Sequence, residues 1–171
     1  MDRPVVISLG AGVQSTTLLL MADAGEFEKR PDLAIFADTG WEPASVYEHL
    51  AWLESESTIP IVRVSAGDLR EDTMTALRDR RNAFASIPVY VKSPRDGQKS
   101  GVLRRQCTRE YKVEPIYREL RERGYRKGGV EMWLGISTDE VQRMKPARVK
   151  WLLNRWPLIE KRMTRQGCLS W

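Results

Sequence analysis

VVISLGAGVQSTTLLL, residues 5–20, sets an apolar run against a glycine-bearing turn and then a second apolar run that opens on hydroxyl residues. The first run reads as a buried strand over Pro4–Ser8, and the second as a helix over Thr16–Ala22 that begins near Ser15. Glycines at such a junction let the backbone close tightly, and the first N–H groups of a helix lack intrahelical partners and carry about half a positive charge. The turn is therefore a candidate anion cradle. The bland alternative is a plain strand-to-helix connection. The turn departs from two common phosphate loops: no lysine precedes Ser15 or Thr16, as GxxxxGK[ST] requires, and Ser15 stands where GxGxxG has its last glycine.

Outward from this turn the pattern repeats. Leu33–Ala37 is a second strand ending at Asp38-Thr39-Gly40. Pro43 opens a helix with apolar Val46, Leu50 and Leu53, and Ile59–Val64 is a third strand. Asp68 and Glu71 resemble a capping box at the start of a helix running to about Asn82. Residues 93–106 (SPRDGQKSGVLRRQ) read as a mobile loop, whereas 112–123 is amphipathic through Val113, Ile116, Tyr117 and Leu120 and stops at Gly124. Val130–Ile136 is a fourth strand. From Asp139 the tail reads as irregular and basic, with a last helix over Thr164–Trp171. Strands alternating with helices predict a parallel sheet covered on both faces, whose ligands sit beyond the carboxyl ends of the strands. Residues 8–15, 38–40 and 137–140 all fall there.

The length of 171 residues predicts one domain over 1–171, and 42% apolar with 30% charged residues is ordinary for a soluble chain. No stretch reaches the ~20 apolar residues of a membrane span, so no membrane partner is expected. The N-terminus lacks a basic region followed by a long apolar core, and Cys107 and Cys168 form neither a CxxC pair nor a disulfide framework; both points favour a cytoplasmic site. The net charge of +5 is unevenly spread: residues 1–60 carry three Lys/Arg against ten Asp/Glu, and the remainder twenty-five against thirteen. Between Arg143 and Arg165 eight basic residues face Glu160 alone, which reads either as a solvated surface or as a footprint for polyanions.

Gly10-Ala11-Gly12-Val13-Gln14-Ser15, followed by Thr16, resembles the PP-loop SGGxDS of the adenine nucleotide α-hydrolase superfamily. Further blocks follow in the order of its phosphoadenosine phosphosulfate (PAPS) reductase branch. FADTGWEPASVYEHLAWL looks like the DTG…PET block, RRQCTREYKVEPIYRELR the CC…KVEP block, LGISTDEVQR the GIRxxES..R block, and WPLIE the PL segment. The resemblance covers roughly residues 5–160. It implies an α/β, Rossmann-like (HUP-type), mostly parallel sheet of about five strands with helices on both faces, and an ATP-like or PAPS-like ligand. Carried over, it places phosphate contacts on Gly10, Gly12, Gln14, Ser15 and Thr16, with Ser8 joining them, and Asp38, Thr39 and Gly40 beside the adenosine. Arg105, Lys112 and Arg143 would face the phosphate or sulfate end, with Lys112, Arg143 and Asp38 as the catalytic set. Mg²⁺ is expected with the nucleotide, and no motif fixes its ligand.

Departures from that pattern shape the functional reading. Gly10 stands in place of the first serine, Gln14 in place of the aspartate, Ser137 in place of arginine and Val141 in place of serine. The tail RQGCLSW lacks the ECGxH-like segment of the reductases, and QCT supplies one cysteine where the family has two, so an iron–sulfur cluster is not expected in this chain. Cys107, among Arg104, Arg105 and Arg109, is a candidate redox or cluster residue, and Cys168 a weaker one that reads mainly as a packed thiol. The chain stops at Trp171 part-way through a helix-like stretch, as a truncated piece would. His49 and most of the six tryptophans read as packed or solvated, with Trp41 after the DTG loop the exception.

The leading expectation is an enzyme that cleaves an adenylyl nucleotide at the α-phosphate and adenylylates an acceptor, with nucleic acid or a sulfur-donor protein as partners and a homodimer as the assembly. The alternatives are a sulfonucleotide reductase whose reducing cysteine is supplied elsewhere, and a non-catalytic nucleotide- or nucleic-acid-binding subunit.

Overall fold

Side chains alternate along each strand of the central sheet and feed two separate cores, one on each face. The computed structural model describes residues 3–78, 90–92, 100–102 and 108–171. Its sheet has five parallel strands: β1 (Val5–Leu9), β2 (Leu33–Asp38), β3 (Ile61–Ser65), β6 (Val130–Leu134) and β7 (Leu152–Arg155), in the spatial order β3-β2-β1-β6-β7. A short antiparallel pair, β4 (Tyr90–Lys92) with β5 (Ser100–Val102), stands apart from it. The expected α/β architecture and strand number are those observed.

Val5, Ile7 and Leu9 of β1 join Ala34, Phe36 and Trp133 in the first core, while Val6, Leu33, Ile35, Val130 and Met132 join the second. On the first face lie α1 (Val13–Asp23), α2 (Ala44–Glu56), α5 (Pro157–Glu160) and α6 (Arg165–Ser170). Helix α1 is buried nearly all round, through Thr17, Leu18, Leu19, Met21 and Ala22, because α5 and α6 cover the side that faces away from the sheet. That is why its sequence is apolar without an amphipathic stripe. The second face is closed by α4 (Glu114–Glu122), whose Ile116 and Leu120, one turn apart, contribute about 1.5–3 kcal/mol each through burial. Before it runs a π-helical turn, Thr108–Val113. Helix α3 (Leu69–Arg78) starts where expected, with Asp68 Oδ1 accepting from the N–H groups of Arg70 and Glu71 at 2.8 and 3.1 Å. The part expected beyond Arg78 lies outside the described residues.

Two elements depart from the sequence reading. Strand β7 sits in the tail read as irregular: only Leu152 of its four residues is buried, so its period is too short to see, and pairing with β6 makes it a strand. Ser100–Val102 falls inside the stretch read as a loop and is held by β4, while 93–99 and 103–106 lie outside the described residues.

Glu54 of α2 accepts two bonds from Arg63 of β3, from Nε at 2.7 Å and Nη2 at 2.6 Å, and ties the helix to the edge strand. The guanidinium holds the Glu54 carboxyl below its ordinary value. A depressed folded-state pKa adds stability above the unfolded value and loses it as pH falls through the folded one. Both side chains are partly exposed, so the pair is worth about 0.5 kcal/mol. Glu54→Gln is expected to lower the melting temperature by about 1–2 °C at pH 7, by an amount that shrinks as pH falls through the depressed folded-state pKa of Glu54. A shift that does not change with pH would assign the effect to packing.

Candidate functional site

The turn between β1 and α1 is closed by a side chain from the helix it opens. Ser15 Oγ accepts from the N–H groups of Gly10 and Gly12, both at 3.2 Å, and donates to the Gly12 carbonyl at 3.1 Å. Ala11 takes a left-handed φ of 51°, and Gly12, extended at φ −94°, caps the helix. The first intrahelical bond runs from the Thr16 N–H to the Gly12 carbonyl at 2.9 Å, which leaves Val13, Gln14 and Ser15 as the positions whose N–H groups have no carbonyl one turn back. No acidic residue stands in the first turn to neutralise this positive end.

The turn lies between β2 on one side and β6 on the other, where the strand order reverses direction. Gly135, directly after β6, presses against it. A Cβ there would lie 2.7 Å from both Ser15 N and Cα and 3.0 Å from the Gln14 carbonyl carbon, whereas a Cβ on Gly12 would meet nothing within 4 Å.

Gln14 does not extend freely from the turn. Its Nε2 donates to Glu140 Oε2 at 3.1 Å and to Ser137 Oγ at 3.4 Å, and its Oε1 accepts from Arg165 Nη1 at 3.0 Å. Glu140 also accepts from Arg143 Nη1 at 2.7 Å. The Ser137 hydroxyl donates to Asp139 and holds that carboxyl below its ordinary value. Thus α1, the 3-10 segment Thr138–Arg143 and α6 are joined through one amide side chain. Thr16 Oγ1 is hydrogen-bonded to His49 Nε2 at 2.8 Å, and the His49 ring stacks on Trp52.

The carboxyl end of β2 carries a second cluster. Asp38 Oδ1 accepts from the Gly40 N–H and the Tyr47 hydroxyl, each at 2.8 Å; burial, with Asp38 beside it, pushes the Tyr47 phenol up. Gly40 has a φ of 71° and packs against Asp68, which favours glycine twice over. Thr39 is buried and donates to Glu42 Oε1 at 3.2 Å, the same oxygen that accepts from Lys112 Nζ at 3.0 Å. Lys112 thereby reaches from the π-helical turn to the β2 loop.

Ser8, in β1, is half-buried and paired with Ile35 and Leu134. Arg105 and Cys107 lie outside the described residues. Cys168 is buried in α6 behind α1, and burial pushes its thiol up, so it is held as the neutral, weakly nucleophilic form. Among the described residues no group of three or more His, Cys, Asp or Glu side chains stands ready to cage a metal.

No family model matches the chain, and no curated protein does. The structure, however, matches the crystal structure of a PAPS reductase from Candida auris in a phosphate complex, with a TM-score of 0.59, over 98% of this chain and 72% of that one. The chain has a PAPS reductase-like fold. At 13% identity the likeness is one of architecture.

Within that fold, Gly10–Thr16, Asp38–Gly40 and Arg143 lie on the turn after β1, the loop after β2 and the segment after β6, Lys112 reaches the β2 loop from the π-helical turn, and Cys168 lies apart in α6. Sequence reasoning passed over Gly135, Glu42, Tyr47 and Arg165. The first three sit inside quoted blocks, beside residues that were singled out. Arg165 carries no local signal, because its bond to Gln14 spans 151 positions.

Proposed function

We propose that this chain binds ATP or a related adenylyl nucleotide at the reversal of strand order and cleaves it at the α-phosphate, transferring the adenylyl group to an acceptor. The observation that carries the reading is the position of the glycine turn. It opens α1 at the carboxyl end of the central strand, where an open parallel sheet leaves a crevice for a ligand. In the proposed reaction an acceptor nucleophile forms a bond to the α-phosphorus, and the bond to the bridging oxygen breaks as pyrophosphate leaves with its electron pair. The α1 N-terminus offsets the charge that builds on the leaving group, and Lys112 and Arg143 join it by exchanging Glu42 and Glu140 for phosphate oxygens. Asp38 and Thr39, fixed by Tyr47 and Glu42, form the adenosine side.

Mg²⁺ is commonly held by one or two carboxylates together with substrate phosphates; in this reading Asp38, at the carboxyl end of β2, would share it through the oxygen not engaged by Gly40 and Tyr47. Bound there, the ion would supply further charge neutralisation.

A sulfonucleotide reductase is the second reading, favoured by the fold of the Candida auris enzyme, which was crystallised with phosphate. The buried Cys168 is poorly suited to attack sulfur. Calorimetric titration with ATP, AMP and PAPS in Mg²⁺, followed by a pyrophosphate assay, separates the readings. ATP binding with pyrophosphate release supports adenylyl transfer, PAPS preference supports the reductase, and binding without turnover indicates a non-catalytic subunit. Ser15→Ala removes the hydroxyl that holds the Gly10–Gly12 turn closed and is expected to weaken ATP binding about tenfold, ~1.4 kcal/mol, with the fold retained. Unchanged affinity would remove the cradle assignment.

A further inference from the structure

On the second face of the sheet lies a groove of about 910 Å³ between α4 and residues 143–149, lined in part by Leu134 at the end of β6. Five cations line it, Arg109, Arg121, Arg143, Lys145 and Arg148, against a single carboxylate, Glu114. All five are exposed. Arg109 pairs with Glu114 at 3.3 Å and Arg143 with Glu140 at 2.7 Å, whereas Arg121, Lys145 and Arg148 form no ion pair with a described residue. Three cations without an ion-pair partner among the described residues, around one opening, repel each other and attract an anion with several charges.

The lining between these cations is largely apolar. Tyr117 of α4 lies there, its ring held edge-on by Trp151 with centroids 5.6 Å apart. Burial and the Glu114 carboxylate push the Tyr117 phenol up against the opposing charges of Arg148 and Arg121, which line the same groove. Cations around an aromatic platform follow a phosphodiester backbone and stack an unpaired base. A duplex, whose bases are already stacked, would use only the cations.

We infer that this groove, with Arg121, Lys145 and Arg148 around Tyr117, holds a single-stranded stretch of nucleic acid, the acceptor side of the proposed reaction. Arg143 joins the two regions: it lines the groove and pairs with Glu140, which accepts from Gln14 in the first turn of α1. The acceptor role rests on the nucleotide reading; the binding itself does not.

The test is fluorescence anisotropy with a labelled single-stranded 12-mer, as DNA and as RNA, and with the matching duplex, across 50–300 mM KCl, roughly the range over which such contacts are screened. The wild-type chain is expected to bind a single strand more tightly than the duplex. The triple variant Arg121→Glu, Lys145→Glu, Arg148→Glu is expected to weaken binding about tenfold or more and to flatten the log–log salt slope by about 2, since each contact to a single strand contributes about 0.7. Tyr117→Leu, which keeps an apolar side chain, should weaken binding about fivefold or more at an unchanged slope. Circular dichroism establishes that both variants are folded, and ATP titration should be unaltered in the triple variant. Equal oligonucleotide binding by the triple variant, preference for the duplex, or loss of ATP affinity in step with oligonucleotide affinity would overturn the inference. Loss of ATP binding by the wild-type chain with oligonucleotide binding intact would defeat the nucleotide reading alone.

Discussion

Gly135→Ala is expected to lower the melting temperature by about 3–10 °C and to weaken nucleotide binding by more than about tenfold, through a single added methyl group. The methyl would lie 2.7 Å from the N and Cα of Ser15, and because these are backbone atoms no rotamer change can relieve the contact. Either β6 withdraws from its register with β1, or the first turn of α1 moves and takes with it the Ser15 hydroxyl that closes the loop. Overpacking of this kind costs about 1–3 kcal/mol. Gly12→Ala is the matched control: the same methyl group in open space, on an extended backbone, should leave the melting temperature within about 2 °C while still narrowing the space above the turn. Differential scanning calorimetry beside ATP titration reads both effects. A Gly135→Ala chain that melts with the wild type would show that β6 and α1 are not in contact at this point.

Trp133→Ala carries the largest expected loss of stability, about 3–5 kcal/mol out of the 5–15 kcal/mol that hold such a domain. Trp133 is among the largest fully buried side chains and meets Phe27 edge to face, with ring centroids 5.1 Å apart. Its truncation leaves a cavity in the first core. It also removes a hydrogen bond of 2.7 Å from the indole Nε1 to Glu131 Oε1, an oxygen that among the described residues then keeps the 3.0 Å bond from Arg155 alone. Glu131 is itself 5% exposed, so the loss falls on a buried carboxylate. Trp133→Phe should recover part of the packing and none of the hydrogen bond. Urea unfolding reads the difference as a lowered midpoint at an unchanged slope. If Trp133→Phe were as damaging as Trp133→Ala, the hydrogen bond to Glu131 would outweigh the cavity.

These residues also show how far a linear reading reaches. The strands β1, β2 and β6 were legible because they are buried on both faces and so read as near-continuous apolar runs. α2 was visible through Leu50 and Leu53, α4 through Ile116 and Leu120, where one face alone is buried and the period survives. β7 was invisible: Leu152 packs, Leu153 points outward, and the charge of Arg155 is met by Glu131 on the neighbouring strand and Glu160 of α5. Gln14 read as a substituted position of the phosphate loop, and its three partners, Ser137, Glu140 and Arg165, lie more than 120 residues further along the chain.

By itself the sequence determined the alternation of strand and helix, the glycine turn at the carboxyl end of β1, and the excess of positive charge after residue 60, because each of these is written in local spacing or in composition. Only the tertiary structure decided that Gly135 must have no side chain, that Lys112 meets Glu42, that Cys168 is shielded behind α1, and that Arg121, Lys145 and Arg148 surround one groove. Each of these depends on distance between segments remote in sequence, and close approach, burial and the summing of charge act through space.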